Sequence, residues 1–318
     1  MSTAAEGGGR TGPGPVVALC GGVGAARFLR GLVRVVPPGE IVAIVNTGDD
    51  RRFYGVDVSP DLDIVTYTLA GIVDDAVGYG LAGDSFRLVE TLGKLGHEVW
   101  FRLGDRDFAH CLHRTLRLRE GAGLARISDE LRRHHGVATR ILPMSEDPCP
   151  TLIELRDGRC LHFEDYMIRE GAPDAVAAVD LSAARHAEPA PGVLEAIGQA
   201  RAIVLCPSNP VVSIGPILAV PAIHEAIANR TAPAVAISPI VGGQAVKGPA
   251  RQLLRGLGIE VSALGVARHY ADVVDAYVLD ERDAAERDGV ATLGLRVAST
   301  DSMTVSYTHL TLPTNREV

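Results

Sequence analysis

A short apolar run that leads directly into a cluster of glycines constrains the fold of this 318-residue chain most strongly. Residues 16–20 (VVALC) are too few for a helix, and Gly21, Gly22 and Gly24 follow them before a helical pattern at 25–36. Strand, glycine loop and helix in this order are typical of a phosphate site, because glycines allow close backbone approach and the first helical N–H groups favour an anion. A tight turn without a ligand is the alternative interpretation.

The glycine pattern is incomplete as a dinucleotide fingerprint, since Arg27 stands where the third glycine would fall. A second apolar run at 41–45 leads into residues 46–50 (NTGDD), which completes a β-α-β unit and predicts a parallel sheet. Both strands then end at the same edge of that sheet. We expect Asp49 to lie there beside the phosphate loop, where a carboxylate would suit Mg²⁺, although solvated acids in a loop are the alternative.

Polar loops follow two further apolar strands in the second half of the chain. The run at 201–206 leads into Pro207-Ser208-Asn209-Pro210, and the run at 234–237 leads into Ser238. The helix predicted at 59–70 begins with two acids. Capping of the helix start accounts well for one acid but less well for two, so Asp63 is kept as a candidate for the site. In an open α/β sheet the carboxyl ends of the strands hold the ligand, so we expect these loops to converge.

The remaining pattern predicts an α/β protein with a Rossmann-like, mostly parallel sheet and helices on both faces. A smaller inserted lobe of helices and a hairpin is expected at about 124–191, within a single domain at 16–303. Helices are predicted at 84–95, 105–120 and 124–135, strands at 99–103 and 138–142, and hairpin strands at 151–155 and 159–163 around Asp157-Gly158. The segments 249–255, 266–273, 275–279 and 283–288 are expected to alternate helix and strand and to close the sheet.

Composition excludes several classes of protein. The net charge of −8 argues against a nucleic-acid-binding surface, and no apolar run reaches the roughly 18 to 20 residues needed to span a membrane. The five cysteines are scattered without a C-x-x-C pair, which favours reduced thiols in the cytoplasm and gives no indication of zinc. His134-His135 is interpreted as the polar end of a helix. Residues 1–15 are expected to be a disordered leader.

Eight ordered motifs together carry a specific resemblance. They are GGVGAARFL (21–29), NTGDD (46–50), SPDLD (59–63), LGDRD (103–107), LPMSEDP (142–148), PSNP (207–210), SIGPI (213–217) and SPIVGG (238–243). From about Val16 to Met303 the chain resembles the 2-phospho-L-lactate transferases of coenzyme F420 biosynthesis, the CofD/FbiA type. After Met303 the sequence departs from the family, and residues 304–318 resemble translated vector sequence, so that tail is expected to be non-native.

The resemblance implies a magnesium-dependent transfer of a 2-phospholactyl group, or its enolpyruvyl counterpart, from a guanosine-diphospho donor to the ribityl hydroxyl of the deazaflavin Fo. GMP leaves, and F420-0 or dehydro-F420-0 forms. The resemblance assigns Asp63 and Arg102 to Fo, Asp49 and Asp63 to the metal and to catalysis, and Gly21, Gly22, Gly24, Ser208 and Asn209 to the nucleotide diphosphate. A homodimer is expected. The three-carbon acid of the donor stays undetermined, and so does whether Asp63 acts as a base or only as a ligand.

Two other functions are weighed against this one. A non-catalytic, nucleotide-sugar-binding regulatory protein of the related fold would share the glycine opening, and an NAD-linked oxidoreductase would need the glycine that Arg27 replaces. The acids of the SPDLD and LGDRD motifs favour the transferase. Asp49→Asn and Asp63→Asn are expected to abolish release of GMP and to leave the fold intact.

Overall fold

The computed structural model describes residues 14–302. The predicted leader (1–15), except for its last two residues, and the predicted non-native tail (304–318) lie outside the described residues. Within them, the strands are β1 Val16–Cys20, β2 Ile41–Val45, β3 Arg51–Phe53, β4 Val56–Val58, β5 Arg140–Pro143, β6 Leu152–Leu155, β7 Cys160–His162, β8 Val176–Asp180, β9 Ala202–Leu205, β10 Ala234–Ile237, β11 Ile240–Val241, β12 Gln244–Ala245, β13 Ala276–Asp280 and β14 Arg296–Thr300. The α-helices are α1 Gly22–Leu32, α2 Pro60–Leu69, α3 Arg87–Lys94, α4 Asp105–Arg119, α5 Leu124–His134, α6 Val193–Gly198, α7 Ile214–Ala219, α8 Pro221–Ala228, α9 Ala250–Gly256, α10 Ala263–Tyr270 and α11 Arg287–Ala291.

The principal sheet has seven strands in the order β14-β13-β10-β9-β1-β2-β5, and every neighbouring pair is parallel. Each residue of β1 and β2 is buried, as expected where helices cover both faces of a sheet. Side chains alternate between two cores: Val17 and Leu19 pack in one, and Ala18 and Cys20 pack in the other. The Rossmann-like α/β fold with helices on both faces is therefore confirmed.

The strand order reverses at β1, which lies between β2 on one side and β9 on the other. In register, Leu19 of β1 is level with Ile44 of β2 and with Leu205 of β9, so the three strands end together. Ligands of open α/β sheets bind outside the carboxyl ends at such a switch point. The loops that follow β1, β2 and β9 are consequently adjacent.

A three-stranded antiparallel sheet, in the order β7-β6-β8, lies outside the principal sheet. The predicted hairpin at 151–163 is confirmed as β6 and β7, whereas β8 was not predicted. Strand β5 belongs to the principal sheet although it falls inside the lobe expected at 124–191. The boundaries of that lobe stay a prediction.

Two of the predicted elements differ in the structure. Residues 99–103 form no strand, because Trp100 and Phe101 pack against Phe53 in a separate aromatic cluster, with the Phe53 and Phe101 ring centroids 3.9 Å apart. The helix predicted at 84–95 begins only at Arg87, because the Asp84 carboxylate instead accepts hydrogen bonds from backbone N–H groups at the start of α4. No helix between residues 14 and 302 combines the length and the hydropathy that a membrane crossing requires.

Candidate functional site

A cleft of about 1230 Å³ opens at the carboxyl edge of the principal sheet. Its lining includes every residue that the sequence assigned to the site: Gly21, Gly22, Gly24, Asp49, Asp63, Arg102, Ser208 and Asn209. They come from the segments that follow β1, β2 and β9, from α2, and from the loop before α4. The structure thus brings all of them to one cavity, while their individual roles stay predictions.

The glycine motif forms the first turn of α1 rather than a separate loop, since the helix begins at Gly22 and ends at Leu32. A Cβ on Gly21 would lie 2.4 Å from Cβ of Ser213, and a Cβ on Gly24 would lie 2.3 Å from the carbonyl oxygen of Pro207. Both glycines are therefore required by close packing against the segment that follows β9. This close approach within the chain is a reason for glycine that the sequence interpretation, which considered a ligand or a tight turn, did not include.

The Ser208 hydroxyl joins the two sides of the switch point. It donates a hydrogen bond to the carbonyl of Gly21 (2.7 Å) and accepts one from the backbone N–H of Ala25 (3.1 Å). The Asn209 side chain turns back on its own loop, where Oδ1 accepts from the N–H of Val211 (2.9 Å). These contacts fix the beginning of α1 beside the end of β9 and occupy the N–H of Ala25, while the N–H of Gly22 bonds to Asp61.

Asp49 lies in a buried group of acids with Asp61 and Glu164. Burial raises the pKa of Asp49 well above its usual value, and the Asp61 and Glu164 carboxylates raise it further. Burial also raises the pKa of Asp61 to about 6, although hydrogen bonds from Asn46 and from the backbone N–H of Gly22 oppose the shift. The pKa of Glu164 rises to about 8, chiefly through burial and then through Asp61. Such a group needs protons or a cation.

Asp63 has a different environment, because it forms an ion pair with the buried Arg114 of α4. Arg114 is 2% exposed and also donates a hydrogen bond to the carbonyl of Asp57 (3.2 Å). One Asp63 oxygen is therefore occupied by a guanidinium, while the other, Oδ2, is buried without a partner among the described residues. Removal of the Asp63 charge would leave a buried cation uncompensated, so the expectation that Asp63→Asn leaves the fold intact does not follow from this structure.

Asp107 and Tyr67 continue the acidic wall on the far side of Asp63. The Tyr67 hydroxyl donates a hydrogen bond to Asp107 (2.8 Å), and carboxylate oxygens of Asp63 and Asp107 lie within 4.8 Å of each other and of the Cys111 sulfur. Burial and the neighbouring Asp63 charge raise the pKa of Asp107 to about 7. Asp107 is accordingly a carboxyl group that titrates near neutral pH.

Arg102 lies at an aromatic part of the cleft. Its guanidinium carbon lies 4.1 Å from the centroid of the Phe86 ring, within cation–π range. Trp100 and Phe101, directly before Arg102 in the chain, also line the cleft. This wall offers flat apolar surfaces and a cation, which would suit a planar, partly anionic ring system.

Cations also line the glycine end. Arg27 and Arg30 lie in α1, Arg34 follows that helix, and Lys247 lies in the loop after β12. The Lys247 ammonium donates a hydrogen bond to the carbonyl of Val77 (2.6 Å), and burial followed by the Arg27 charge lowers its pKa. Arg27 stands where a dinucleotide fingerprint would have its third glycine. In the structure it places a positive charge at the cleft, which suits a diphosphate.

The carboxylates satisfy one structural test for a divalent cation. Asp49 Oδ1, Asp63 Oδ2 and Glu164 Oε2 are buried and have no hydrogen-bond partner within residues 14–302. Magnesium prefers carboxylate oxygens and retains several waters, so the chemistry of these oxygens suits it, but within residues 14–302 Asp49 belongs to no group of three metal-binding side chains whose ligand atoms all lie within 4.8 Å of one another. The electrostatic neighbours of Asp49 are Asp61, Glu164 and Asp50, whereas Asp63 neighbours Asp107 and Arg114.

Three of the site residues escaped the sequence interpretation. Asp61 belongs to the same SPDLD motif as Asp63 and was attributed to the helix dipole, although the structure directs it towards Asn46 (2.9 Å). Asp107 was included only as part of the LGDRD motif and was given no role of its own. Glu164 follows β7 with no motif around it, so a single sequence carried no signal for it.

Comparison with solved structures supports the architecture. Two crystal structures of one Bacillus halodurans protein of the UPF0052 family superpose with TM-scores of 0.59 and 0.60, at 22% and 21% identity. The matches cover 91% and 92% of this chain and 93% and 94% of those chains. At this identity the likeness shows the fold alone.

Sequence comparison identifies the family. A phosphoenolpyruvate transferase of Kitasatospora aureofaciens is 44% identical over 90% of this chain and 92% of its own, and one of Streptomyces griseus is 43% identical over 88% and 90%. A 2-phospho-L-lactate transferase of Methanosarcina mazei is 38% identical over 92% of this chain and 95% of its own. The model of the family described as 2-phospho-L-lactate transferase CofD matches residues 16–304. The chain therefore belongs to the CofD family of 2-phospho-L-lactate transferases, enzymes of coenzyme F420 biosynthesis.

Proposed function

We propose that this transferase moves a three-carbon acid phosphate from a guanosine-diphospho donor to the ribityl hydroxyl of the deazaflavin Fo. The hydroxyl oxygen bonds to the phosphorus that carries the acid, and the bond from that phosphorus to the bridging oxygen breaks. GMP leaves with the bridging oxygen, and the hydroxyl proton passes to a base or to solvent. The observation that carries the proposal is the meeting of glycine, carboxylate, arginine and aromatic groups in one cleft at the switch point.

The donor would lie at the glycine end. The amino end of α1, after Gly21, would favour phosphate although the Gly22 N–H already bonds to Asp61, and Ser208 and Asn209 hold the adjacent loop in place. Arg27 and Lys247 add positive charge at the same end. We expect the acceptor at the aromatic end, where Arg102 and Phe86 present a stacked cation and ring.

We propose Mg²⁺ as the cofactor, held by Asp49 with Asp61, Glu164 or Asp63. Bound there, it would neutralise charge that develops on the diphosphate. Asp63 would then orient the attacking hydroxyl through Oδ2, because its other oxygen is held by Arg114. Burial of these carboxylates away from water strengthens their interaction with a cation.

The relatives differ in the acid that their names specify, and this difference guides the choice of donor. Identity reaches 43% and 44% with relatives named phosphoenolpyruvate transferase, against 38% with one named 2-phospho-L-lactate transferase. We therefore propose the enolpyruvyl donor as the preferred substrate, which makes dehydro-F420-0 the product.

The proposal is tested by incubating the protein with Fo, MgCl₂ and, in separate reactions, the enolpyruvyl, lactyl and glyceryl forms of the guanosine-diphospho donor. Fluorescence-detected chromatography should resolve a more anionic deazaflavin, formed fastest with the enolpyruvyl donor. Faster reaction with the lactyl donor would contradict the proposed donor but would still support the proposed transfer reaction. Absence of product with every donor would contradict the proposed reaction and favour a binding function for the cleft.

We also propose a cytoplasmic homodimer. All five cysteines are free thiols, as expected in a reducing compartment. Leu112 and Leu116, one turn apart on α4, are 40% and 48% exposed and offer an apolar stripe for association. Light scattering should give twice the monomer mass of 33.5 kDa, and a monomer at micromolar concentration would contradict this assembly.

A further inference from the structure

Three histidines from two neighbouring helices meet on the outer side of the α4–α5 pair. His110 lies in α4, His134 is the last residue of α5, and His135 follows it. One ring nitrogen from each of the three lies within 4.8 Å of the others. The Nε2 atoms of His110 and His135 are only 3.0 Å apart. The sequence interpretation treated His134-His135 as a helix end and did not connect the pair with His110.

A single hydrogen bond explains part of this geometry and leaves the rest unexplained. Two neutral imidazoles satisfy one nitrogen each when one donates and the other accepts. His134 takes no part in that hydrogen bond. Its ring centroid nevertheless lies 4.8 Å from that of His135 and 6.5 Å from that of His110. Three convergent ring nitrogens are the donor set of a metal site with one position open to water or a fourth ligand.

The protonation state of the rings also suits a metal. Burial lowers the pKa of His110, against the opposing effect of the Asp63 carboxylate, and burial and His110 lower the pKa of His135. A lowered pKa favours the neutral ring, and neutral imidazole is the form that binds metals. Little free energy is therefore needed to remove protons from these two imidazole rings when a cation binds.

We propose that His110, His134 and His135 form a site for a divalent transition-metal ion of the zinc type, separate from the carboxylates of the cleft. Imidazole nitrogen favours zinc, nickel and copper over magnesium, whereas the carboxylate oxygens of the cleft favour magnesium. His134 is exposed, so the ion has a path from solvent. The site rests on the geometry of α4 and α5 and does not depend on the proposed reaction.

A metal at this position would add a second link between two helices that the Arg117–Glu130 ion pair already joins (2.9 Å). Tyr67 packs against the pair, with ring centroids 5.4 Å from His110 and 6.1 Å from His135, and its hydroxyl reaches Asp107 (2.8 Å). An ion bound by the three rings would thus hold Tyr67 between the metal site and the acidic wall of the cleft. Its direct effect is on stability, because an ion that binds only the folded chain shifts the unfolding equilibrium.

The test uses untagged, chelator-treated protein and ZnCl₂ as the probe, in buffer with excess MgCl₂ so that the cleft carboxylates are occupied. Calorimetric titration should show one Zn²⁺ bound per chain and a rise in the melting temperature. His110→Asn, His134→Asn and His135→Asn should each weaken that binding by at least about tenfold. His224→Asn, an exposed position on α8, is the matched control and should change nothing.

His134 is exposed, so the His134→Asn variant is expected to fold with its buried core intact. Loss of Zn²⁺ binding in this variant can therefore be distinguished from a failure to fold. Equal Zn²⁺ affinity and stoichiometry in the wild type, in His134→Asn and in His135→Asn would overturn the proposal. Loss of Zn²⁺ binding only on Cys111→Ala would overturn it too, since that result would assign the ion to the neighbouring Asp63, Asp107 and Cys111 group. Transferase activity is not the readout, so failure here is distinguishable from failure of the proposed reaction.

Discussion

Asp49 is a buried carboxylate whose neighbours are other carboxylates. Its Oδ1 atom has no hydrogen-bond partner among the described residues, and its pKa is raised by burial and by Asp61 and Glu164. Groups in such an environment destabilise a protein unless they hold a proton or a cation. The arrangement is consistent with a residue kept for binding rather than for stability.

For this reason Asp49→Asn should separate activity from stability. We expect transfer to fall by about 100-fold or more, because a charge that stabilises the reacting groups is lost. The melting temperature should stay the same or rise, since the amide removes repulsion from Asp61 and Glu164. Steady-state release of GMP and thermal unfolding measure the two effects. Asp174→Asn, at an exposed ion pair with Arg255, is the control, and undiminished turnover by Asp49→Asn would contradict the assignment.

Asp63→Asn should behave differently because Arg114 is its buried partner. Loss of one member of a buried ion pair costs about 3 kcal/mol of the free energy of unfolding. Adding Arg114→Met to Asp63→Asn should restore much of that stability without restoring transfer. Chemical denaturation and the transfer assay distinguish the two roles. Recovery of activity in the double variant would show that Asp63 serves only to neutralise Arg114.

At the residue scale, every residue that the sequence assigned to the site lines the cleft, although motif membership alone did not single out Asp61 or Asp107. Asp49 and Asp63 follow a strand and begin a helix, where ligands of α/β sheets bind. Arg114 and Glu164 could not be predicted in this way, because each reaches the site from a distant segment and only the packing of α4 and of the turn after β7 brings it there. The spacing of residues in a single sequence does not show which distant segments come into contact in the fold.

The first helix and the strand before it form the element that organises the cleft. Helix α1 begins at Gly22 directly after β1, and Ser208 bonds to both sides of that junction. Gly24 lies in the first turn, where a side chain would meet the carbonyl of Pro207. The glycines therefore serve the packing of two elements as well as any phosphate.

Gly24→Ala tests that structural role. The added Cβ would lie 2.3 Å from the Pro207 oxygen, so backbone must move, and we expect a loss of about 1 to 3 kcal/mol in the free energy of unfolding. Gly198→Ala is the matched control at a helical glycine with no atom within 4 Å, and it should stabilise the protein by up to about 1 kcal/mol. Urea unfolding measures both. A Gly24→Ala variant as stable as Gly198→Ala would refute the packing argument.

Apolar runs predicted the central strands because these strands are buried on both faces, as β1 and β2 are. The same criterion predicted a strand at 99–103, and that prediction is wrong. An apolar run also occurs where a loop packs into an aromatic cluster, as this segment does. Strand β14 was not predicted, because it is an edge strand whose residues are all exposed or half-buried. Burial on both faces thus makes a strand predictable from an apolar run, whereas the half-exposed β6 and β7 were predicted from alternation and their Asp-Gly turn.

On the scale of the whole molecule, the acids of the cleft should make stability depend on pH. The folded-state pKa values of about 7 for Asp107 and about 8 for Glu164 lie above those of an unfolded chain. The folded protein therefore binds more protons, and its stability falls as the pH rises through these values. The histidines with lowered pKa values act in the opposite direction only below about pH 6.5.

Between about pH 6.8 and 8.5 in chelator, we therefore expect the melting temperature to fall by about 3 °C or more. Mg²⁺ should reduce the fall, because a cation stabilises the ionised acids, and Glu164→Gln should reduce it without the metal. Thermal scans at the two pH values, with and without MgCl₂, measure this effect. A melting temperature that rises over this interval would contradict the acid cluster described for the cleft.

The central claim is that donor and acceptor react with each other within one cleft at the switch point. The most direct measurement is the stoichiometry of GMP released to deazaflavin phosphorylated, with MgCl₂ and the enolpyruvyl guanosine-diphospho donor, in the presence and absence of Fo. The account predicts one GMP for each modified Fo and negligible GMP without Fo, because the attacking oxygen belongs to the acceptor. Release of GMP at the same rate without Fo, or its release with no modified deazaflavin, would contradict it.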